Sequence, residues 1–147
     1  MTAELLTLSA LVVAAFFTGA AVYIIVVEQP ARLTLDDRAL LTQWQPAYRR
    51  GTAMQGSIAL LGTALGLAAW WSHNSAEALF GAAAMFLNWP YTLLVIGPTN
   101  KRLTAITPDQ AGPESRQLIR RWASLHLVRC LLGATGTLAF TAAILHH

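Results

Sequence analysis

Four long apolar runs, separated by short polar segments, dominate the pattern of the chain. They cover residues 5–27, 52–72, 78–100 and 122–145, and only the last contains a charged side chain, Arg129. Each run reaches the length of about 20 residues that a helix needs to cross the apolar core of a bilayer. The pattern predicts an all-α integral membrane protein with a single domain over residues 1–147. We expect an up-down four-helix bundle with helices at about residues 5–28, 52–72, 78–98 and 115–145.

The distribution of charge predicts how the bundle is oriented. All ten Lys and Arg side chains lie either between the first and second runs or from the end of the third run into the fourth. By the positive-inside rule these two regions are cytoplasmic and both termini lie outside, in a cytoplasmic (inner) membrane. The composition, 55% hydrophobic and 12% charged, is that of a membrane protein. The net charge of +3 therefore indicates the lipid bilayer, and not nucleic acid, as the partner.

The first basic loop, residues 33–50, has an amphipathic pattern of its own. Asp36 or Asp37 can cap a short helix, and Trp44 with Tyr48 forms an aromatic anchor flanked by arginines. We expect a short interfacial helix in this loop, lying on the membrane surface or covering a pocket.

The fourth run brings ionisable side chains into the membrane. Trp122, His126 and Arg129 are spaced i, i+4, i+7 and share one helix face. Ionisable residues inside a bilayer are costly and usually face a bundle interior or a wet cavity. Glu28 ends the first run at nearly the same depth. Further polar side chains reach this end of the bundle or lie somewhat deeper: Arg32, Gln55, Asn88, Tyr91 and Asn100.

This set of residues has two readings. In one, Glu28 and Arg129 form a structural ion pair. In the other they belong to a catalytic site, with His126 as general base, Arg129 stabilising an oxyanion and Glu28 orienting the histidine. The other polar residues would then contact the substrate, and Trp89 and Trp122 would form walls for a flat hydrophobic molecule.

Five segments carry a family resemblance: residues 17–32 (FTGA at 17–20 through EQPAR at 28–32), 44–51 (WQPAYRRG), 88–92 (NWPYT), 98–103 (PTNKRL) and 121–129 (RWASLHLVR). Together they resemble the anthrone-oxygenase-like membrane family, many of whose members are labelled only as a domain of unknown function. The resemblance implies oxidation of an anthrone to an anthraquinone by dioxygen, without flavin, haem or nicotinamide. The sequence agrees in lacking a G-x-G-x-x-G motif and a cysteine cluster, since Cys130 is the single cysteine.

Two alternatives remain open at this stage. Glu28 and His126 could ligate a metal ion, or His126 a haem, in a membrane oxidoreductase. The chain could instead be a non-catalytic protein that binds or transports a small molecule. The Gly62/Gly66 pattern is compatible with a homo-oligomer.

Overall fold

The computed structural model describes residues 2–146, and these residues form helices without any strand. Four helices are long and apolar enough to cross a membrane: α1 (Ala3–Leu33), α2 (Asp37–His73), α3 (Ala76–Ala105) and α4 (Pro113–Leu145). A short 3-10 turn, Pro108–Gln110, lies between α3 and α4. The predicted all-α four-helix membrane bundle is confirmed.

The helices form a ring in chain order. Helices α1 and α3 each pack against both α2 and α4, whereas α2 and α4 touch little across the diagonal. Side chains small enough for close approach line these contacts. A Cβ added at Gly66 or at Gly81 would lie 2.7 Å from the ring of Phe140, so both glycines are needed where α2 and α3 receive that ring from α4.

Side-chain contacts join the helices at both ends of the bundle. Near the termini, His146 Nδ1 lies 3.1 Å from Glu77 Oε1, which ties the end of α4 to the start of α3. At the opposite end, which carries the basic residues, side chains of α2, α3 and α4 form a buried group that we call the basic-end cluster. It consists of Leu40, Leu41, Trp44, Ile96, Leu103, Leu118, Ile119 and Trp122.

The predicted separate interfacial helix is wrong. Asp36 does cap a helix, since its Oδ1 accepts from the Ala39 N–H at 2.9 Å, but that helix continues through Pro46 to His73 as α2. Leu40, Leu41 and Trp44 are fully buried in the basic-end cluster and do not lie on the membrane surface. Burial of this apolar face offsets the helix hydrogen bond that Pro46 cannot donate.

Two helices also extend past the ends predicted for them at about residues 28 and 98. A π-helical turn, Ile24–Glu28, precedes Gln29–Pro30 in α1, and a second, Thr92–Ile96, precedes Gly97–Pro98 in α3. In these turns the backbone hydrogen bonds run from residue i to residue i−5 and not to i−4. The N–H of Gln29, for example, donates to the carbonyl of Ile24. The shift accommodates a proline without breaking the helix, and π-helical turns are frequent at functional sites.

Candidate functional site

Two adjoining cavities lie inside the bundle toward its basic end, and Thr52 and Arg129 line both. The smaller, which we call the His126 cavity, has a volume of about 20 Å³. The larger, which we call the Trp89 cavity, measures about 70 Å³ and lies between α2 and α3. The His126 cavity includes six of the predicted site residues: Glu28, Arg32, Gln55, Trp122, His126 and Arg129. The Trp89 cavity includes Gly56, Asn88, Trp89, Thr92 and Leu93.

His126 is 1% exposed, and its ring is held by an aromatic stack. The ring lies 4.9 Å from that of Trp122 at an interplanar angle of 26°, and Trp44 packs edge-on against Trp122 at 5.7 Å. Neither imidazole nitrogen has a hydrogen-bond partner of normal geometry within residues 2–146, although the backbone of Ala21 lies near the ring. The stack therefore positions the imidazole while leaving its nitrogens available for proton transfer.

Arg129 is a buried cation without a carboxylate partner. It is 6% exposed, and its guanidinium carbon lies 5.5 Å from the centre of the Phe17 ring. Across the described part of the chain it forms no ion pair, and its Nε has no hydrogen-bond partner. An uncompensated buried charge lowers stability by several kcal/mol. This arrangement therefore favours an anionic ligand in the adjoining space.

Glu28 forms its ion pair with Arg32, one helical turn away, so the alternative in which Glu28 pairs with Arg129 is wrong. Four-residue spacing on one helix brings such side chains together without help from the rest of the fold. Gln43 Nε2 also donates to Glu28 Oε1 at 3.2 Å. Glu28 and Arg32 thus line the His126 cavity as a neutralised pair, and Arg129 is left as the cation that faces free space.

The amide side chains offer directional polar groups. Asn88 is buried and donates its Nδ2 protons to the Ala84 and Met85 carbonyls, both at 3.3 Å. Its Oδ1 has no partner, so Asn88 offers only an acceptor to the Trp89 cavity. Gln55 is also buried, and its Nε2 has no partner. Together they place one free acceptor and one free donor beside Arg129.

Two predicted site residues line neither cavity. The hydroxyl of Tyr91 donates to the Leu125 carbonyl at 3.0 Å, which ties α3 to α4. Asn100 is buried at the basic end, and its Oδ1 has no partner.

Sequence reasoning missed Tyr48, Thr52 and Gly56, which line the cavities, and Gln43, which contacts Glu28. Helical periodicity could have found two of them, since Thr52 and Tyr48 precede Gln55 by three and seven residues on one face. Gln43 was hidden because its segment was assigned to a surface loop.

The donor set does not fit a metal ion of the usual kind. No group of three or more His, Cys, Asp or Glu side chains is assembled within the range 2–146. Glu28 and His126 share a cavity, but two ligands fall short of the usual three or four, and Glu28 is already paired with Arg32.

Comparison with known proteins shows the family. The family profile for anthrone oxygenase matches residues 44–139. An anthrone oxygenase from Claviceps purpurea (strain 20.1) is 28% identical over 123 residues, which cover 76% of this chain and 67% of that protein. No solved structure matches. The matched range contains Asn88, Trp89, His126 and Arg129, and the chain belongs to the anthrone oxygenase family.

Proposed function

We propose that the protein oxidises a hydrophobic, anthrone-like aromatic ketone with dioxygen, using its own side chains and no cofactor. The observation that carries the proposal is Arg129, a buried guanidinium that has no carboxylate partner and lines the same cavity as His126. Membership of an oxygenase family supplies the reaction class. An anthrone suits this site because it becomes an oxyanion when it loses a C–H proton, and an oxyanion is what Arg129 lacks.

His126 is the proposed base. One of its ring nitrogens accepts a proton from the methylene carbon opposite the ketone, and the carbon's electrons move through the ring system to the ketone oxygen. Arg129 stabilises the resulting anthrolate oxygen in a site with little water, where electrostatic stabilisation is strongest. Trp122 keeps the imidazole in place through its stack.

The anthrolate then supplies the electrons that dioxygen needs. One electron passes to dioxygen, and the two radicals combine to form a carbon–oxygen bond. The peroxide takes the proton held by His126. Loss of the second methylene proton forms the quinone carbonyl as the O–O bond breaks, and the departing hydroxide leaves as water. One oxygen atom therefore enters the quinone and the other enters water.

The other residues have supporting roles in this proposal. The Glu28–Arg32 pair and Gln55 set the polarity around His126, and Asn88 Oδ1 can accept from a phenolic hydroxyl of the substrate. Tyr91 ties α3 to α4, and neither Tyr91 nor Asn100 lines the cavities proposed to receive the substrate. We also propose that the basic end faces the cytoplasm, as the positive-inside rule predicts.

The test is oxygen uptake by purified protein in detergent micelles that contain an anthrone. Anthrones also oxidise spontaneously, so uptake is measured above the rate of protein-free micelles. We expect His126→Ala to lower kcat by about 10²–10⁴-fold, the usual contribution of a general base. His73→Ala, at the other end of the bundle, is the matched control. With ¹⁸O₂ we expect one labelled atom in the quinone.

Three results would count against the proposal. Uptake that disappears with a chelator and returns with one added metal would favour a metal-dependent oxidase. A Soret band in the purified protein would favour haem. Saturable binding of the anthrone without uptake above background would favour a binding or transport protein.

A further inference from the structure

We infer that the substrate reaches this site sideways from the lipid, between α2 and α3, and that the indole of Trp89 is the gate it must displace. The inference rests on the proposed function for the identity of the substrate. It assigns to Trp89 and Gly56 control over how fast a flat hydrophobic molecule enters and leaves.

The Trp89 cavity connects the outer surface of the bundle to Arg129. At its outer side lie Leu93, 63% exposed, and Trp89, 36% exposed, on a helix face that would contact lipid. At its inner side lie Asn88 and Arg129, both buried. Thr52 and Arg129 also line the His126 cavity, so the space between α2 and α3 adjoins the cavity of the proposed base.

The cavity is too small for the substrate as it stands. A dry protein cavity that holds a single benzene ring measures about 150 Å³, and the Trp89 cavity has a volume of about 70 Å³. A molecule with three fused rings therefore fits only if a side chain moves. The His126 cavity, at about 20 Å³, admits molecules of about the size of one or two waters. On that side the Trp44–Trp122 pair is packed into the basic-end cluster.

Trp89 is the lining side chain best able to move. Its indole Nε1 donates one hydrogen bond to the Gly56 carbonyl at 3.2 Å, and its ring lies over a residue that has no side chain. A Cβ at Gly56 would lie 3.5 Å from Cζ2 of the indole. Swinging outward, the ring would exchange this apolar contact for lipid at the cost of one hydrogen bond.

The backbone of α3 is weakened at the same place. Pro90 follows Trp89 and cannot donate a helix hydrogen bond, and the π-helical turn begins at Thr92. Prolines and π-helical turns are the usual points at which helices bend. Local bending of α3 would move Trp89 away from Gly56 and would leave the packing of α1 against α4 in place.

The experiment follows binding kinetics separately from turnover. Protein in lipid vesicles is mixed with 9,10-anthraquinone, which has no methylene proton to lose, and binding is followed by quenching of tryptophan fluorescence. Trp89→Phe keeps a ring but removes the donor, and it should raise the association rate by about 2–10-fold, the range for one hydrogen bond. Kd should fall by a similar factor, because a bound ligand keeps the indole away from Gly56. Trp71→Phe, at a residue that is 83% exposed, is the matched control.

A second variant tests whether a larger side chain at Gly56 slows entry of the ligand. Gly56→Leu should slow association at least tenfold, whereas Gly19→Leu, at a glycine with nothing within 4 Å of its added Cβ, should not. The inference is overturned if Trp89→Phe leaves the association rate unchanged, or if Gly56→Leu associates as fast as Gly19→Leu. If the protein binds anthraquinone at a rate that depends on Gly56 and yet oxidises no anthrone, that result contradicts the proposed function and still supports the lateral route.

Discussion

At the residue scale, the two arginines of the site differ in whether a carboxylate neutralises their charge. Arg32 is buried but paired with Glu28, whereas Arg129 is buried with Phe17 as its cation–π partner and has no acidic group. A buried charge that lacks a partner lowers stability. Arg129 therefore costs free energy of folding, and the anionic ligand of the proposed function would offset that cost.

This contrast predicts that Arg129→Met will abolish activity without destabilising the fold. The loss of oxyanion stabilisation should reduce kcat by about 10²–10³-fold, while Tm stays the same or rises because an unpaired charge has been removed. Arg32→Met, the matched control, should lower Tm, since it leaves the partly buried Glu28 carboxylate without its partner. Thermal unfolding in detergent and oxygen uptake measure the two effects.

The outcome that would contradict this account is a clear fall in Tm for Arg129→Met, comparable to that for Arg32→Met. Arg129 would then be a structural residue, held by contacts that stabilise the bundle. Arg121→Gln, an exposed arginine on the same helix, should leave both Tm and kcat unchanged.

At the element scale, the sequence predicted the four spans because a bilayer demands about 20 apolar residues in each. It failed at the basic end, where three prolines were read as helix stops or loop residues. Pro30 and Pro98 are preceded by π-helical turns and Pro46 lies inside α2. Such turns depend on tertiary packing around the proline, and no local propensity rule reports that packing.

The packing of α2 and α3 against α4 predicts that Gly→Ala substitutions at different positions differ strongly in their effect on stability. Gly81→Ala should destabilise the bundle by about 1–3 kcal/mol, the usual cost of overpacking, because its Cβ would lie 2.7 Å from the Phe140 ring. Gly19→Ala adds the same methyl group where nothing lies within 4 Å, and should be neutral or slightly stabilising. Unfolding in mixed micelles with increasing SDS measures both changes in the free energy of unfolding.

A second substitution shows whether Phe140 is the cause. Phe140→Leu removes the ring edge that the new methyl group would strike, so the double variant Gly81→Ala/Phe140→Leu should lose less stability than the two single changes added together. Strict additivity would show that Gly81 is needed for some other reason.

At the scale of the whole molecule, the regularity of each helix explains which site residues could be predicted. Trp122, His126 and Arg129 lie on a regular stretch of α4, where counting by 3.6 residues per turn gives the correct face, and all three line one cavity. Tyr91 and Asn100 lie on either side of the π-helical turn in α3. A π-helical turn rotates everything beyond it relative to an α-helical count, so counting along α3 could not show that Asn100 lies outside both cavities.

The orientation of the bundle in the membrane determines into which leaflet the product is released. The candidate site lies toward the end that carries all ten basic residues, and from the positive-inside rule we expect this end to face the cytoplasm. A quinone that leaves between α2 and α3 would then enter the cytoplasmic half of the bilayer. Because Cys130 is the only cysteine and is buried, a Cys130→Ala background gives a clean reporter of sidedness.

In that background we expect Ser72→Cys, exposed at the α2–α3 turn, to react with a membrane-impermeant maleimide in intact cells. Thr107→Cys, exposed between α3 and α4, should react only after permeabilisation. The cysteine-free parent gives the background signal. The reverse pattern would place the basic end outside and would show that the charges serve the site or a partner and do not set the topology. Labelling of both positions in intact cells would indicate dual orientation, and quinone would then be released into both leaflets.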